Sequence, residues 1–538
     1  MSRTSSSFRF SFYKHALLFV GGMLAIAWLC LLGGKEAKSA NILPRLNIDL
    51  RETTVSGISS GAFMAVQMAV AHSSFIMGVA STAGGPYFCA GEASWGGAKV
   101  AEAIARCMQG DPSLPATPIT EEHHALMRDA TIRWAAEGKI DPVDALARQK
   151  VWIFHGYNDG IVKTPVSEAV QIYYNAFTPA YRIFYKHELP AAHAQISAAC
   201  SAGKTDGVRC NACSATGGNF INACAADGVP YDAAGSALQF FYGPMQRIAS
   251  EHLQGKVVPF SQARHTLRDG IEVAPARISM AEEGYLYVPR PCQEGERCRL
   301  HIAFHGCRQY AGKIGMDFVK GAGFNEWAEA NRIVVLFPQA ASSSFIPANP
   351  NGCWDWWGYN DTGDQEAGHY LTREGLQVAA VWRMAQALAG DATETGAGNT
   401  QPNERTISAA GAQDIPAASV VQALDVSSDQ VLLAWNPVAG ARAYVVYRQQ
   451  PGPDGEPVFA RVSPEGFSDT AYVDRGLGAR QSYLYRIVAL GVDGRESVLA
   501  DSLTVRTAAR EPACDPYFSM LRGLPVDKDN RPADTVCK

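Results

Sequence analysis

The chain has 538 residues, which exceeds the usual size of a single compact core and therefore predicts two or more domains. Hydrophobic residues make up 47% of it and charged residues 18%, an ordinary composition for a globular protein. The formal net charge of -5 provides no basic surface, which argues against nucleic acid as the main partner.

The first 40 residues are arranged as a secretory leader. Arg3, Arg9 and Lys14 precede an apolar run at positions 16–34, and small residues follow, so a cleavage site is expected near Ala40. An uncleaved membrane anchor is the alternative, because the apolar run is long for a leader. Cleavage would give a secreted protein, extracellular or periplasmic, without a membrane partner.

Cysteine usage agrees with export. The sequence has 13 cysteines, and 12 remain when Cys30 is removed with the leader, an even number that is compatible with disulfides. Cys210 and Cys213 form a CxxC pattern that is also found in zinc and redox sites. Because four cysteines lie between Cys200 and Cys224 with no histidine among them, a loop closed by disulfides is favoured.

Residues 41–390 alternate short apolar runs with helical segments, the pattern of an α/β domain. Most runs are apolar throughout, as expected of strands buried on both faces. The strand candidates are "VWIF" (151–154), "YRIFY" (181–185), "YLYV" (285–288), "LHIAF" (300–304) and "IVVLF" (333–337). Residues 391–414 are polar, small and glycine-bearing, and they predict a flexible linker.

Residues 415–508 contain short alternating strands with no helical segment among them, which predicts an all-β sandwich. Trp435, and Tyr483 six residues after Leu477, occupy the positions of the core tryptophan and the corner tyrosine of a fibronectin type III domain, which this stretch resembles. The resemblance implies a spacer or presentation role, because the fold itself carries no chemistry. Residues 509–538 are expected to form a small tail closed by a disulfide.

The stretch "GISSG" at positions 57–61 matches G-x-S-x-G with Ser59 at its centre. It follows the short run "TTVS" and precedes the helical "AFMAVQMAVA", the strand–turn–helix context of a nucleophile elbow. Glycines flank the serine in such an elbow because the turn is too tight for side chains, and the helix start favours developing negative charge. A glycine-rich turn with capping serines is the alternative.

A serine nucleophile needs a base, and the base needs an orienting acid. Asp159 follows the strand "VWIF", and His193 lies in the loop after the next strand, so the serine, aspartate and histidine come in the order found in α/β-hydrolases. His187 competes as the base, but its place at the strand end favours a structural role. Asp141 and Asp144 compete as the acid, but they precede the strand and are typical of caps at a helix start.

An α/β-hydrolase normally supplies an oxyanion donor from a loop after an early strand, ahead of the serine. Only about fifteen residues separate the expected cleavage site near Ala40 from Thr54, too few to form those strands. The candidate lies later, where the strand "LHIAF" leads into "HGCRQ": the backbone N–H of Cys307 would be one donor and that of Ser60 the second. This order requires circular permutation of the fold.

Seven segments together resemble the extracellular poly(3-hydroxybutyrate) depolymerases whose lipase box lies near the N-terminus. In chain order they are "SGISSGAFMAVQ", "FHGYNDGIV", "LPAAH", "YDAAGSALQFFYG", "CRLHIAFHGCRQY", "NEWAEANRIVVLFPQA" and "NPNGCWDWWGYN", and they span nearly all of residues 41–390. The resemblance implies a circularly permuted α/β-hydrolase with Ser59 as nucleophile, Asp159 as acid and His193 as base. It also implies that Cys307 and Ser60 supply the oxyanion donors and that no metal or organic cofactor is needed.

The cluster "CWDWW" contains Trp354, Trp356 and Trp357. Rings at these positions would either line an apolar slot for an acyl chain or fill the core. In an extended segment the first two share a face and the third does not, so we expect one ring at the cleft and two packed. All three are candidates for substrate binding.

These features predict a secreted serine esterase that hydrolyses poly(3-hydroxybutyrate) or a related short-chain polyhydroxyalkanoate through an acyl-enzyme on Ser59. The expected partner is a polyester or oligomeric ester, and the chain is expected to be a monomer. Many such depolymerases continue from a fibronectin-like linker into a polymer-binding domain, whereas here only residues 509–538 follow the fibronectin-like stretch. Amorphous polymer, oligomers or another ester therefore stay open as substrates. The alternatives are a carboxylesterase for small or aromatic esters and, from another class, a non-catalytic surface binding or adhesion protein.

Overall fold

The computed structural model describes residues 41–91, 98–110, 119–199, 208–344, 347–361, 368–390, 416–498 and 501–510. The predicted leader, the predicted linker and all but two residues of the predicted tail lie outside these ranges. By its contacts the chain divides into residues 1–42 and residues 43–538, and every element below belongs to the second unit. Within the described ranges, each helix is too short or too polar to cross a membrane.

An eight-stranded sheet lies at the centre of the α/β domain. Its strands are β1 Ile48–Ile58, β2 Ile76–Thr82, β3 Lys150–Phe154, β4 Ile183–Lys186, β5 Lys256–Ser261, β6 Glu283–Val288, β7 Cys298–Phe304 and β8 Ile333–Phe337. Their order across the sheet is β5-β6-β8-β7-β1-β2-β3-β4. Strand β6 alone runs against the others, and β1 pairs in parallel with β7 and β2.

The strand order is that of an α/β-hydrolase whose sequence has been circularly permuted. In that fold, the strand before the nucleophile is the fifth across the sheet and the second strand is antiparallel. Here β1 is fifth across the sheet although it is first in the sequence. The four strands on one side of it come from residues 256–337, downstream of the three on the other side, so the predicted permutation is confirmed.

Helices cover both faces of this sheet because its strands are apolar on both faces: every residue of β3 and of β8 is buried. The longer helices are α1 Ser60–Ala71, α2 Ala98–Gln109, α3 Glu121–Ala136, α4 Thr164–Asn175, α5 Ala233–Tyr242 and α6 Leu376–Ala389, and the short ones are Arg290–Gln293, Ala311–Ile314, Asp317–Gly321 and Asn325–Ala328. One hydrophobic cluster joins α1, α4 and α6 to one face, and a second joins α5 and residues 318–328 to the other.

Short strands form small separate sheets outside the main sheet. A three-stranded sheet is formed by Gln195–Ile196, Asn211–Ala212 and Ile221–Ala223, and two hairpins by Ala225–Ala226 with Val229–Pro230 and by Leu267–Arg268 with Ile271–Glu272. The predicted strand 181–185 begins only at Ile183, because Ala180–Arg182 form a 3-10 turn after Pro179.

Disulfides close several loops of the α/β domain. The described pairs are Cys89–Cys107, Cys213–Cys224, Cys292–Cys298 and Cys307–Cys353, and Cys210 is also disulfide-bonded. The two cysteines of the CxxC pattern therefore belong to different disulfides. The prediction of a loop closed by disulfides is therefore confirmed, and the alternative of a zinc site at the CxxC pattern is not.

The C-terminal domain is a sandwich of two antiparallel sheets. Its strands are β9 Gln422–Val426, β10 Gln430–Ala434, β11 Ala441–Pro451, β12 Pro457–Arg461, β13 Ala471–Arg475, β14 Ser482–Gly491 and β15 Leu503–Arg506. They form the sheets β9-β10-β13 and β12-β11-β14-β15, the three-plus-four division of a fibronectin type III domain. Trp435 is fully buried, and Tyr483 Oη accepts a hydrogen bond from Gly478 N at 2.7 Å, which closes the tyrosine corner.

The sandwich packs directly on the α/β domain. Asp425 Oδ2 accepts hydrogen bonds from Tyr231 Oη and Ser236 Oγ, each at 2.5 Å. Lys186 Nζ lies 3.7 Å from Asp425 Oδ1 and 3.5 Å from Glu188 Oε2, and the three charged side chains are buried. The resemblance to fibronectin type III domains implied a spacer, whereas these buried polar contacts hold the sandwich against β4 and α5.

Candidate active site

Ser59 lies at the sharp turn between β1 and α1. Its φ of 56° and ψ of -125° fall outside the regular backbone regions. A Cβ atom on Gly57 would lie 2.1 Å from Gly61 O, and a Cβ atom on Gly61 would lie 2.4 Å from His305 O. No side chain fits at either flanking position, so the G-x-S-x-G pattern is dictated by space.

The two adjacent serines have different surroundings. Ser59 precedes α1, but its side chain makes no capping hydrogen bond, and the residue is only half-buried. Ser60 is buried, and its Oγ accepts a hydrogen bond from Trp354 N at 3.3 Å. The interpretation as a turn with capping serines therefore lacks the bond that defines a cap, which favours the elbow.

Asp159 and His193 meet in the loops that follow the neighbouring parallel strands β3 and β4. His193 Nδ1 lies 2.7 Å from Asp159 Oδ2, and both residues are 4% exposed. The other carboxylate oxygen, Oδ1, accepts hydrogen bonds from Ile161 N at 2.8 Å and Val162 N at 3.0 Å. Burial alone would raise the pKa of Asp159, but His193 and the backbone donors outweigh it and hold that pKa below its usual range.

The competing residues lie elsewhere. His187 Nε2 is 3.4 Å from Glu188 Oε1 and 3.8 Å from Asp429 Oδ1, on the side where the sandwich packs. Asp141 accepts a hydrogen bond from Ser74 N and pairs with an arginine, and Asp144 is exposed in the first turn of a 3-10 helix. None of the three takes part in the contact between His193 and Asp159.

The loop after β7 lies beside the elbow. A Cβ atom on Gly306 would be 3.3 Å from Ser59 Cβ, so this backbone passes close to the serine. The next residue, Cys307, is tied to Cys353 by a disulfide. Within the described part of the chain, the Cys307 N–H has no hydrogen-bond acceptor. An unused backbone donor next to the serine is the feature expected of an oxyanion hole.

Sequence reasoning missed the residues that hold this loop. Gln309 Oε1 accepts a hydrogen bond from Gly306 N at 2.7 Å, and His305 Nδ1 lies 2.8 Å from Gly306 O. The sequence pattern that could have identified His305 is the triplet Phe-His-Gly, which occurs at the ends of both β3 and β7. In each turn the histidine is buried with a ring nitrogen on a backbone carbonyl, as in the 2.8 Å contact between His155 Nε2 and Val162 O.

The tryptophan cluster packs against the elbow. Trp354 is fully buried, and its ring meets that of Phe304 edge to face at 5.1 Å between centroids. Trp356 is 6% exposed and stacks on Phe63 of α1 at 4.6 Å. Trp357 is the least buried of the three and contacts the ring of Trp356 at 5.1 Å.

Among the described residues, one group of side chains has the spacing of metal ligands: His187, Glu188 and Asp429. It lies where the two domains meet. The ammonium group of Lys186, 3.5 Å from Glu188 Oε2, already supplies positive charge there. The donor set is therefore explained by ion pairing between the domains.

No family model matches the chain, but comparison with known proteins finds depolymerases that are similar to it. The chain is 34% identical over 485 residues to a poly(3-hydroxybutyrate) depolymerase of Delftia acidovorans, covering 89% of this chain and 84% of that protein. It is 32% identical over 367 residues to a polyhydroxybutyrate depolymerase of Talaromyces funiculosus, covering 66% of this chain and 94% of that protein.

Solved structures agree. A PHB depolymerase from Penicillium funiculosum matches with a TM-score of 0.53 and 29% identity, covering 65% of this chain and 99% of its own. A serine-to-alanine variant of a PHB depolymerase, solved in complex with an R3HB trimer, matches with the same TM-score, identity and coverage.

Proposed function

The chain belongs to the poly(3-hydroxybutyrate) depolymerase family, and from that membership we propose that it is a serine hydrolase of polyesters. It cleaves poly(3-hydroxybutyrate), or a related short-chain polyhydroxyalkanoate, to oligomers and hydroxyacids. The observation that carries the mechanism is the 2.7 Å contact between His193 and Asp159. The loops of these residues and the Ser59 elbow all follow parallel strands, so they share one edge of the sheet.

The first half of the reaction is acyl transfer to Ser59. Ionised Asp159 accepts the Nδ1–H of His193, which leaves Nε2 as the atom that takes the Ser59 proton. The hydroxyl oxygen then attacks the ester carbonyl, and Asp159 offsets the positive charge that forms on the imidazole. When the tetrahedral intermediate collapses, His193 gives the proton to the departing alcohol oxygen, which is the hydroxyl end of the released fragment.

The second half releases the acyl group. Water gives a proton to His193 and attacks the acyl-enzyme carbonyl, and the same proton returns to Ser59 as the hydroxyacid or oligomer leaves. In both halves, the backbone N–H groups of Cys307 and Ser60 stabilise the carbonyl oxygen while it carries negative charge. A donor of this kind is worth about 10²–10³ in kcat.

The substrate assignment rests on the relatives and on the aromatic cluster. The related enzyme solved with an R3HB trimer supports an oligomeric or polymeric ester as substrate. Because Trp354 and Trp356 are nearly inaccessible while Trp357 keeps an exposed part, we assign the contact with the acyl chain to Trp357. The two buried rings then support the elbow from behind. The disulfides of the α/β domain support action in an oxidising, extracytoplasmic compartment.

The test is the clearing of a suspension of amorphous poly(3-hydroxybutyrate) by the purified protein, with Ser59→Ala as the inactive control. Clearing by the parent alone supports the proposal. If the parent hydrolyses p-nitrophenyl butyrate in a manner that depends on Ser59 but leaves the polymer intact, the enzyme is a carboxylesterase for small esters. Full esterase activity in Ser59→Ala would overturn the mechanism.

A further inference from the structure

His305 directly precedes the Gly306–Cys307 peptide, whose N–H is the proposed oxyanion donor. The His305 side chain is fully buried. Its Nε2 is 3.1 Å from Ala340 N, and its Nδ1 is 2.8 Å from Gly306 O. A backbone N–H can only donate, so Nε2 accepts and carries no proton. The ring proton is therefore on Nδ1, where it is donated to the Gly306 carbonyl.

The ring is a neutral bridge between two loops. Burial lowers the pKa of His305 to about 4, so the imidazole is uncharged near neutral pH. Ala340 lies just after β8, and Gly306 lies just after β7. The histidine thus ties together the ends of two adjacent parallel strands on the side of the sheet where Ser59 lies.

The carbonyl that His305 holds belongs to the same peptide unit as the Cys307 N–H. A trans peptide is planar, and its C=O and N–H point in opposite directions. A bond that fixes the direction of Gly306 O therefore also fixes the direction of the Cys307 N–H. Gln309 N also donates to Gly306 O, at 3.1 Å, so the carbonyl has two donors.

We propose that His305 is a positioning residue for the oxyanion hole: its Nδ1–H orients the peptide between Gly306 and Cys307 so that the Cys307 N–H faces the substrate carbonyl at Ser59. This inference rests on the proposed serine-esterase function. Gln309 N shares the Gly306 carbonyl with His305, whereas Gln309 Oε1 binds the preceding peptide N–H and the disulfide holds the Cys307 side chain.

Two amide substitutions separate the two bonds of the ring. In His305→Asn the side-chain NH₂ occupies nearly the place of Nδ1, so it can still donate to Gly306 O, but the acceptor for Ala340 N is lost. In His305→Gln the side-chain oxygen reaches the place of Nε2 and can still accept from Ala340 N, but the donor to Gly306 O is lost. Each variant removes one hydrogen bond, so both should fold and have similarly lowered midpoints of thermal unfolding.

The measurements are kcat and KM on p-nitrophenyl butyrate and the inhibition constant of an alkyl trifluoromethyl ketone, whose adduct with Ser59 places an oxyanion in the hole. For His305→Gln we expect kcat to fall about 10- to 100-fold with KM within about twofold, and the inhibition constant to rise by a similar factor. The loss is smaller than that of a deleted donor because Gln309 N still binds the carbonyl. For His305→Asn we expect kcat within about threefold of the parent.

His301→Asn is the matched control. His301 is a fully buried histidine on β7, the strand that ends just before His305. Its ring hydrogen bonds go to Thr54 Oγ1 at 2.8 Å and Ser56 Oγ at 2.7 Å, away from the loop after β7. We expect this variant to lose stability and to keep kcat within about twofold.

Equal kcat values in the two His305 variants, or a kcat loss in His305→Gln without weaker ketone inhibition, would overturn the assignment to His305. The proposed function is tested separately by Ser59→Ala in the same assay. If Ser59→Ala is inactive while His305→Gln works at the parent rate, the serine mechanism stands and only the role of His305 is wrong. If Ser59→Ala is active, the proposed function itself fails.

Discussion

Glu188 Oε1 in the α/β domain accepts a hydrogen bond from the backbone N–H of Ser428 in the sandwich, at 2.5 Å. His193 follows Glu188 by only five residues, so the loop that carries the proposed base begins at the contact between the two domains. Burial would raise the pKa of Glu188, but Lys186 and His187 outweigh burial and hold it below its usual range. The carboxylate is therefore an ionised, buried link between the sandwich and the loop.

Glu188→Ala should lower both stability and activity. The change leaves Lys186, which is buried, with one carboxylate partner fewer and leaves the Ser428 N–H without its acceptor, so the free energy of unfolding should fall by about 3 kcal/mol. Urea unfolding measures this, and kcat on p-nitrophenyl butyrate should fall in parallel. Asp493→Ala removes an exposed pair with Arg495 on the sandwich and should change neither quantity. A Glu188→Ala protein of parental stability would show that the contact between the domains is weak.

Asp159→Asn should abolish most of the activity without unfolding the protein. The amide can donate to His193 and thereby favour the wrong tautomer, so kcat should fall by about 10³–10⁴ while KM stays close to that of the parent. Asp141→Asn is the control: this aspartate is also buried and hydrogen-bonded to a backbone N–H, but it lies away from His193. If both variants lose kcat to the same degree, Asp159 has no special role.

Gly61→Ala should disrupt the elbow. Its Cβ would lie 2.4 Å from the backbone oxygens of Phe304 and His305, so β7 or α1 must shift. We expect loss of activity together with a loss of about 1–3 kcal/mol in the free energy of unfolding. Gly160→Ala, beside Asp159, meets no atom within 4 Å and should retain activity. Parental kcat and unfolding midpoint in Gly61→Ala would contradict the packing described for the elbow.

His301 should make stability depend on pH in the acid range. Burial lowers its pKa to about 3, against 6.5 for an ordinary histidine, so below pH 6.5 the unfolded chain binds a proton that the folded protein does not. The contribution of uncharged His301 to the free energy of unfolding is complete above pH 6.5 and is lost as the pH falls towards 3. His301→Asn removes this term, so the slope of the unfolding free energy between pH 4 and 6 should decrease by about 1.4 kcal/mol per pH unit. Parallel urea-unfolding profiles for parent and variant would refute the assignment.

Much of the fold was predictable because it is encoded locally. Apolar runs such as 151–154 and 333–337 are strands in the structure, and "GISSG" forms a strand–turn–helix junction with a positive φ at Ser59. The order of Ser59, Asp159 and His193, together with the late position of Cys307, was sufficient to predict a permuted α/β-hydrolase. The spacing of hydrophobic residues and the presence of turn-forming residues act over a few positions, so they can be recognised without a structure.

The site was predictable only in part. The residue types of the proposed triad follow from motif order, but whether His193 or His187 meets Asp159 depends on how the loop after β4 turns. The roles of His305 and Gln309 were missed because each acts through a backbone group of a loop whose path the sequence does not reveal. Likewise, the partners of the cysteines follow from distances in the folded chain, since spacing alone allows many pairings.

The sequence by itself determined the elements, their fold class and the order of the reactive residues. Only the tertiary structure decided that the fibronectin-like sandwich is docked on β4 through Asp425 and Glu188 and that the Trp354 and Trp356 rings are buried. The physical reason is that these features depend on polar groups and surfaces from distant segments meeting with matched geometry. A buried aspartate such as Asp425 has no local pattern that distinguishes it from an exposed one, because its partners lie about 190 residues away in the chain.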